Sequence, residues 1–257
     1  MRLVTLVENT FADPALRAEH GLSLYIETEA HKILFDMGQS DVFARNARSL
    51  GIDLSQVDLA ILSHGHYDHG GGLETFLSIN SKAPVYVHRR AFGEYYNGKE
   101  KYIGLNQTLC GRSRLIFTEG TVDLLPGMRL TDCNDQSWRF DSWGLSRKSG
   151  DIYIPDDFHH EQYLQITEGE KRILISGCSH KGIVNIAEHF RADVLIGGFH
   201  LNKQENRDSL EEIAEKLKKT GTMYYTGHCT GQVQFAAMKE IMEDQLERLS
   251  TGITVEV

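Results

Sequence analysis

Val57-Asp-Leu-Ala-Ile-Leu-Ser63 runs directly into His64-Gly-His66-Tyr-Asp68-His69-Gly-Gly-Gly72. The first part is an apolar run of strand length, and the glycines and polar groups that follow end it in a turn. In extended chain, residues two apart project to the same side, so His64 and His66 present their imidazoles together where the strand ends. Asp68 and His69 come after the turn has begun and face a second point a few ångströms away. Imidazole and carboxylate are the usual nitrogen and oxygen donors to zinc, and four such groups within six residues suit a pair of borderline-soft divalent ions. As ordinary surface or core histidines they would repel one another when protonated and gain little when neutral. The glycines allow close backbone packing around such a site.

The rest of the 257-residue chain is consistent with a small-molecule site of this kind. Its 27 basic and 36 acidic residues leave a net charge of −9, which argues against a broad basic face for nucleic acid and against attachment to an anionic membrane. A hydrophobic share of 40% with 25% charged residues is that of a globular protein. No segment reaches the roughly 18 apolar residues of a membrane span, and the apolar start Met1–Val7 is too short for a secretory leader, so a cytoplasmic protein is expected. Cys110, Cys133, Cys178 and Cys229 are widely spaced without a CxxC pair, which indicates reduced thiols.

With only four prolines and no linker-like stretch, residues 1–257 read as one domain. Strands are expected at Arg2–Val7, Leu22–Glu27, Lys32–Phe35, Val57–Leu62 and Pro84–His88, and later at Glu161–Thr167, Arg172–Ser176, Asp193–Gly197 and Met223–Thr226. Helical patterns cover Asp41–Leu50, Gly182–Phe190, Asp208–Lys219 and Gln232–Leu249. This α/β alternation in both halves predicts sheets covered by helices. Residues 90–114, with Tyr95, Tyr96 and Arg112, fit the rhythm poorly and read as a long excursion, either a lid or substrate loop or a surface loop whose aromatics pack on the body.

The motif His64-x-His66-x-Asp68-His69 after an apolar strand resembles the signature of the metallo-β-lactamase superfamily. Leu34-Phe-Asp36-Met-Gly38 is similar to its first motif and Tyr225-Thr-Gly-His228 to its last. Val7-Glu-Asn-Thr10, Phe35–Ser40, Gly177-Cys-Ser-His-Lys-Gly-Ile183, Gly197-Gly-Phe-His-Leu201 and Gly227-His-Cys-Thr-Gly231 further resemble the branch related to 7,8-dihydropterin-6-ylmethyl-4-(β-D-ribofuranosyl)aminobenzene 5′-phosphate synthase. The resemblance implies a four-layer αβ/βα sandwich with a dinuclear Zn2+ site. His64 and His66 would hold one ion, and Asp68, His69 and His228 the other, with Asp68 also the candidate catalytic carboxylate. The remaining histidine of the first ion is assigned to His180, with His159 and His160 as competitors.

Where many relatives carry a bridging Gly-Asp, this chain has Gly177-Cys178. Cys178 is therefore either a thiolate ligand or a buried small hydrophobe. Asp36 is expected to orient a ligand histidine. His200 and Cys229 are expected beside the site, and His200, Tyr95, Tyr96 and Arg112 are the candidate substrate contacts. Paired zinc ions make hydroxide available near neutral pH and polarise an electrophile, so the expected activity is hydrolysis of a small, anionic or pterin-like substrate. The same ligands also serve a transferase joining a pterin pyrophosphate to an aminobenzene ribose phosphate, or a sensor without turnover.

Overall fold

The computed structural model describes residues 1–257. Its internal contacts divide the chain into two compact units, Met1–Glu119 with Gly144–Gln162 and Ser250–Val257, and Gly120–Trp143 with Tyr163–Leu249. The units interleave in sequence, so no composition shift or linker marks a boundary.

In the first unit a seven-stranded sheet runs in the order Thr254–Glu256, Arg2–Val7, Ser23–Glu27, Lys32–Phe35, Leu59–Leu62, Val85–His88, Leu115–Thr118. Pairing is antiparallel as far as Lys32–Phe35 and parallel from there on. Leu59–Leu62 lies inside the parallel part with all four side chains buried. Burial on both faces is why it reads as an unbroken apolar run instead of an alternating one. Helices Val42–Ser49 and Leu73–Ile79 cover one face through Phe43, Ala47, Leu73 and Phe76, packed on Leu34, Ala60, Leu62 and Val85. The carboxyl ends of two adjacent parallel strands thereby deliver Asp36 and the Ser63–His69 turn to one end of the sheet.

The second unit repeats the plan. Its seven-stranded sheet has the order Leu246–Arg248, Met223–Thr226, Val194–Ile196, Lys171–Ile175, Tyr163–Glu168, Met128–Thr131, Thr121–Leu125. The first four strands pair in parallel and the rest antiparallel. Helices Ile183–Phe190, Arg207–Lys218 and Gln232–Met242 seal one face through Ile186, Leu210, Ala214, Leu217, Met238 and Met242. Three parallel strands end at Ile175, Ile196 and Thr226, and the turns after them carry Cys178, His200 and the pair His228-Cys229.

Two sequence expectations are corrected. The helix expected over Gln232–Leu249 stops at Met242, because Glu243 takes a left-handed backbone (φ 50°), and Leu246–Arg248 then pairs as an edge strand. Leu246 and Leu249 are fully buried, and their three-residue spacing imitates helical periodicity. Residues 90–114, expected as a long excursion, include two short strands. Tyr95–Asn97 and Lys101–Tyr102 form a hairpin that joins Leu145–Ser149 and Ile152–Pro155 in a four-stranded sheet of the first unit. No helix is long and apolar enough to cross a membrane.

Candidate metal sites

His66 has extended backbone and stands at the start of a one-turn helix, Tyr67–Gly70, so the chain changes direction between the pair His64 and His66 and the pair Asp68 and His69. His64, His66 and His69 are buried, with ring centroids 4.5 Å apart for His64 and His66 and 4.2 Å for His64 and His69. The glycines of the turn are needed for close approach. A Cβ on Gly65 would lie 2.1 Å from the Ala91 carbonyl oxygen, and one on Gly71 2.3 Å from that of Gln39.

Asp36 organises this cluster. It is fully buried with a left-handed backbone (φ 58°), a conformation that is costly for a non-glycine residue. Its carboxylate accepts the Ser63 N–H at 2.7 Å, the Ser63 hydroxyl at 2.6 Å and the His69 Nδ1–H at 2.7 Å. Ser63 Oγ also lies 2.8 Å from His64 Nδ1. Because the Ser63 hydroxyl proton is directed to Asp36, its oxygen is left to accept from His64 Nδ1–H. One carboxylate thus directs the proton to Nδ1 on His69 and, through Ser63, on His64. His69 Nε2 stands 3.9 Å from Asp68 Oδ2, a separation one ion can span at about 2.1 Å from each donor. His20 Nε2 is 3.2 Å from the same Asp68 oxygen. That contact has no sequence signal beyond the bare presence of a histidine.

His160 holds the turn, and with His66 and Asp156 it also brings three possible donor atoms within 4.8 Å of one another. Its Nδ1 accepts the Gly65 N–H at 2.9 Å and its Nε2 donates to Asp156 at 3.1 Å, so both ring nitrogens are used in holding the turn. Burial drives its pKa down from 6.5 to about 4 against the opposing pull of Asp156, and a neutral imidazole is what this bonding pattern requires. Asp156 escaped sequence reasoning because Ile-Pro-Asp-Asp-Phe-His-His carries no motif and the four-residue spacing to His160 matters only once the loop is folded. His159 is partly exposed and meets the Arg90 guanidinium at 3.3 Å. His88 caps its own turn by accepting the Arg90 N–H.

The three candidates from residues 90–114 have separate environments. Tyr95 is buried, its ring centroid 3.9 Å from that of His160, and its hydroxyl donates to the Arg90 carbonyl. Burial raises its pKa well above the usual phenol value. Tyr96, on the other face of the strand, packs edge-on against Tyr102 and Tyr153. Arg112 is exposed and faces Glu74 at 3.8 Å.

In the second unit, three turns at the carboxyl ends of parallel strands gather a second cluster. The Cys178, Cys229 and His200 donor atoms all lie within 4.8 Å of one another, and the His180 ring centroid is 4.2 Å from that of His200. Ser179, His200 and His228 all have positive φ, 58°, 52° and 48°, and such strain concentrates at functional sites. The Cys229 sulfur accepts the His200 N–H at 3.3 Å. Burial alone would raise the Cys229 thiol, but the Cys178 and His200 side chains and the nearby His228 more than offset that and hold it well below the usual thiol range.

This donor chemistry, on strands and turns of this order, is that of a metal-binding enzyme fold, and the metallo-beta-lactamase superfamily model matches residues 16–228. The chain belongs to that superfamily. It is 31% identical over 263 residues, 91% of this chain and 89% of the relative, to 7,8-dihydropterin-6-methyl-4-(beta-D-ribofuranosyl)-aminobenzene-5'-phosphate synthase of Methanocaldococcus jannaschii. It is 24% identical over 209 residues, 75% of this chain and 74% of the relative, to a probable metallo-hydrolase, YflN, of Bacillus subtilis. The crystal structure of Tm1679, described as a metal-dependent hydrolase of the beta-lactamase superfamily, matches with a TM-score of 0.85 at 30% identity, covering 100% of this chain and 99% of that one.

Proposed function

We propose that the protein is a divalent-metal hydrolase, with two zinc ions as its cofactor, acting on a small, anionic or pterin-like substrate. The observation that carries this reading is the Asp36 network, which holds two neighbouring buried histidines by Nδ1, the bonding that orients a metal-ligating imidazole. Holding the imidazoles through Nδ1 is what a cation at Nε2 requires of them. The side chains proposed to hold metal are His64, His66, Asp68 and His69 of the first cluster and His180, His228 and Cys178 of the second.

When bound, such ions act as Lewis acids, acidifying water and polarising the oxygen of an ester, lactone, thioester, amide or phosphodiester. The chain supplies the rest. Asp36 and Ser63 hold His64 and His69 in the metal-binding tautomer. His160 and Asp156 fix the Gly65 backbone between the two histidines, and Asp68 is the carboxylate proposed to take up or release a proton.

Transfer chemistry, with a pterin pyrophosphate as donor, is the second reading, and the synthase activity for which the Methanocaldococcus relative is named favours it. Against it stands one basic side chain of residues 90–114. Arg114 is spent on the Leu77 and Ala83 carbonyls, and Arg112 lies exposed beside Glu74 at 3.8 Å. The test is metal analysis of protein prepared without added metal, followed by assay of the loaded enzyme against esters, lactones and phosphodiesters and against the pterin condensation. Hydrolysis with no condensation is expected. Well under one equivalent of metal, unchanged by His64→Ala, defeats the reading. Condensation alone establishes the transferase, and tight binding of one ligand without turnover establishes a sensor.

A further inference from the structure

The Cys178, His200 and Cys229 cluster contains more sulfur than the metal set proposed above uses. Cys178 follows the strand ending at Ile175, His200 follows that ending at Ile196, and Cys229 follows that ending at Thr226, so three adjacent parallel strands each contribute one donor. The three donor atoms lie within 4.8 Å of one another, a span that a single ion closes with zinc–sulfur distances of about 2.3 Å and zinc–nitrogen distances of about 2.0–2.1 Å. Both ring nitrogens of His200 are buried and make no hydrogen bond of normal geometry. A buried imidazole without hydrogen bonds is costly unless something else occupies its lone pair.

The surrounding backbone is shaped to the sulfur. The His200 N–H points at Cys229 Sγ, an arrangement that supports a thiolate. Gly198 has no side chain at a position where a Cβ would stand 2.4 Å from that same sulfur. His200 holds a strained left-handed backbone (φ 52°), which fixes the direction its ring takes from the turn.

We propose that Cys178, His200 and Cys229 form a thiolate-rich site for a soft or borderline cation, zinc first, built wholly within the second unit. Two thiolates and a neutral imidazole bring a charge of −2, which matches a divalent ion, and soft sulfur donors select zinc or cuprous copper over magnesium or calcium. On binding, the two thiol protons are released to solvent and two metal–sulfur bonds form, with no change of oxidation state. The site does not depend on whether the His64–His69 cluster holds metal. It deepens the reading above only in Cys178, which that reading already uses as a ligand.

The test is X-ray absorption at the zinc edge on the purified full-length protein, with cobalt substitution as a second readout. Two sulfur scatterers at about 2.3 Å are expected. They should persist in His64→Ala/His66→Ala, and Cys229→Ser should remove one of them. In the cobalt protein the thiolate-to-metal absorption should fall by about half in Cys229→Ser, as one of two thiolates is lost. If Cys229→Ser does not fold, His200→Ala serves instead, with both sulfurs expected to remain and zinc affinity to fall at least tenfold. One sulfur that disappears only with Cys178→Ser, or no sulfur at all, overturns the site. Full metal retention in His64→Ala/His66→Ala with two sulfurs present overturns the proposed histidine ligands and leaves this site standing.

Discussion

Replacing Asp36 by asparagine keeps the shape of the side chain and removes its charge, which separates its structural work from its control of histidine protons. In the native chain the carboxylate accepts three hydrogen bonds at 2.6 to 2.7 Å. In Asp36→Asn the remaining oxygen still accepts the Ser63 N–H, while the new amide group faces Ser63 Oγ and His69 Nδ1. Both can accept from it if their own protons move, Ser63 donating to His64 Nδ1 and His69 carrying its proton on Nε2. Every buried group then stays bonded, so the loss of apo-protein stability is confined to the change from charged to neutral bonds, about 2 kcal/mol. Asp36→Ala leaves buried donors without an acceptor and costs about 3–5 kcal/mol. The tautomer shift in Asp36→Asn blocks both Nε2 lone pairs, and zinc affinity is expected to fall about 10- to 100-fold. Chemical denaturation of the apo protein reads the first quantity and competition with a chelator reads the second, while histidine 15N correlation spectra identify which nitrogen carries the proton. An Asp36→Asn protein that binds zinc within threefold of the wild type, or whose His64 and His69 keep the Nδ1–H form, refutes the assignment of Asp36 as the tautomer-setting group.

Other outcomes follow from the same geometry. His160 in the folded chain has its pKa lowered from 6.5 to about 4, so the unfolded chain takes up the proton first. The contribution of His160 to the stability of the apo protein is therefore fully present above about pH 6.5 and falls by about 3 kcal/mol as the pH drops towards 4; denaturation at a series of pH values checks this, and His160→Gln should flatten that part of the curve. Gly65→Ala places a methyl group 2.1 Å from the Ala91 carbonyl oxygen and should cost about 2–3 kcal/mol, by forcing the turn away and breaking the Gly65 N–H bond to His160. Arg112→Ala removes only an exposed ion pair with Glu74 and should change stability by less than about 1 kcal/mol, with turnover of every accepted substrate unaltered.

The decisive stretch was legible in the sequence because strand period and chemistry agree there. Leu59–Leu62 is apolar on both sides because both sides are buried, and the run stops where the chain must present polar groups. The same agreement made most parallel strands and amphipathic helices readable within a residue or two. The short, largely polar strands of the four-stranded sheet were not readable. Leu145–Ser149, with the sequence Leu-Ser-Arg-Lys-Ser, becomes a strand by pairing with Tyr95–Asn97 and Ile152–Pro155, partners 48 residues upstream and adjacent downstream that no local pattern announces. The site divides along the same line. Ligand-type residues announce themselves by type and spacing, whereas the groups that set their protonation do so through contacts across sequence. Asp36 stood in a readable motif and its role could be expected, but the step through Ser63 to His64 required the distances.

His160 shows the limit most sharply. Two adjacent histidines before a strand suit a cation by the same chemical logic that singles out His64 and His66, and in the fold Asp156 and the Gly65 N–H bond both ring nitrogens of His160. Spacing reports which side chains are able to bind a cation. Which of them keep a lone pair for it is determined by where the protons go, and that depends on neighbours such as Asp36 and Asp156 that lie 33 and four residues away from the imidazoles they control.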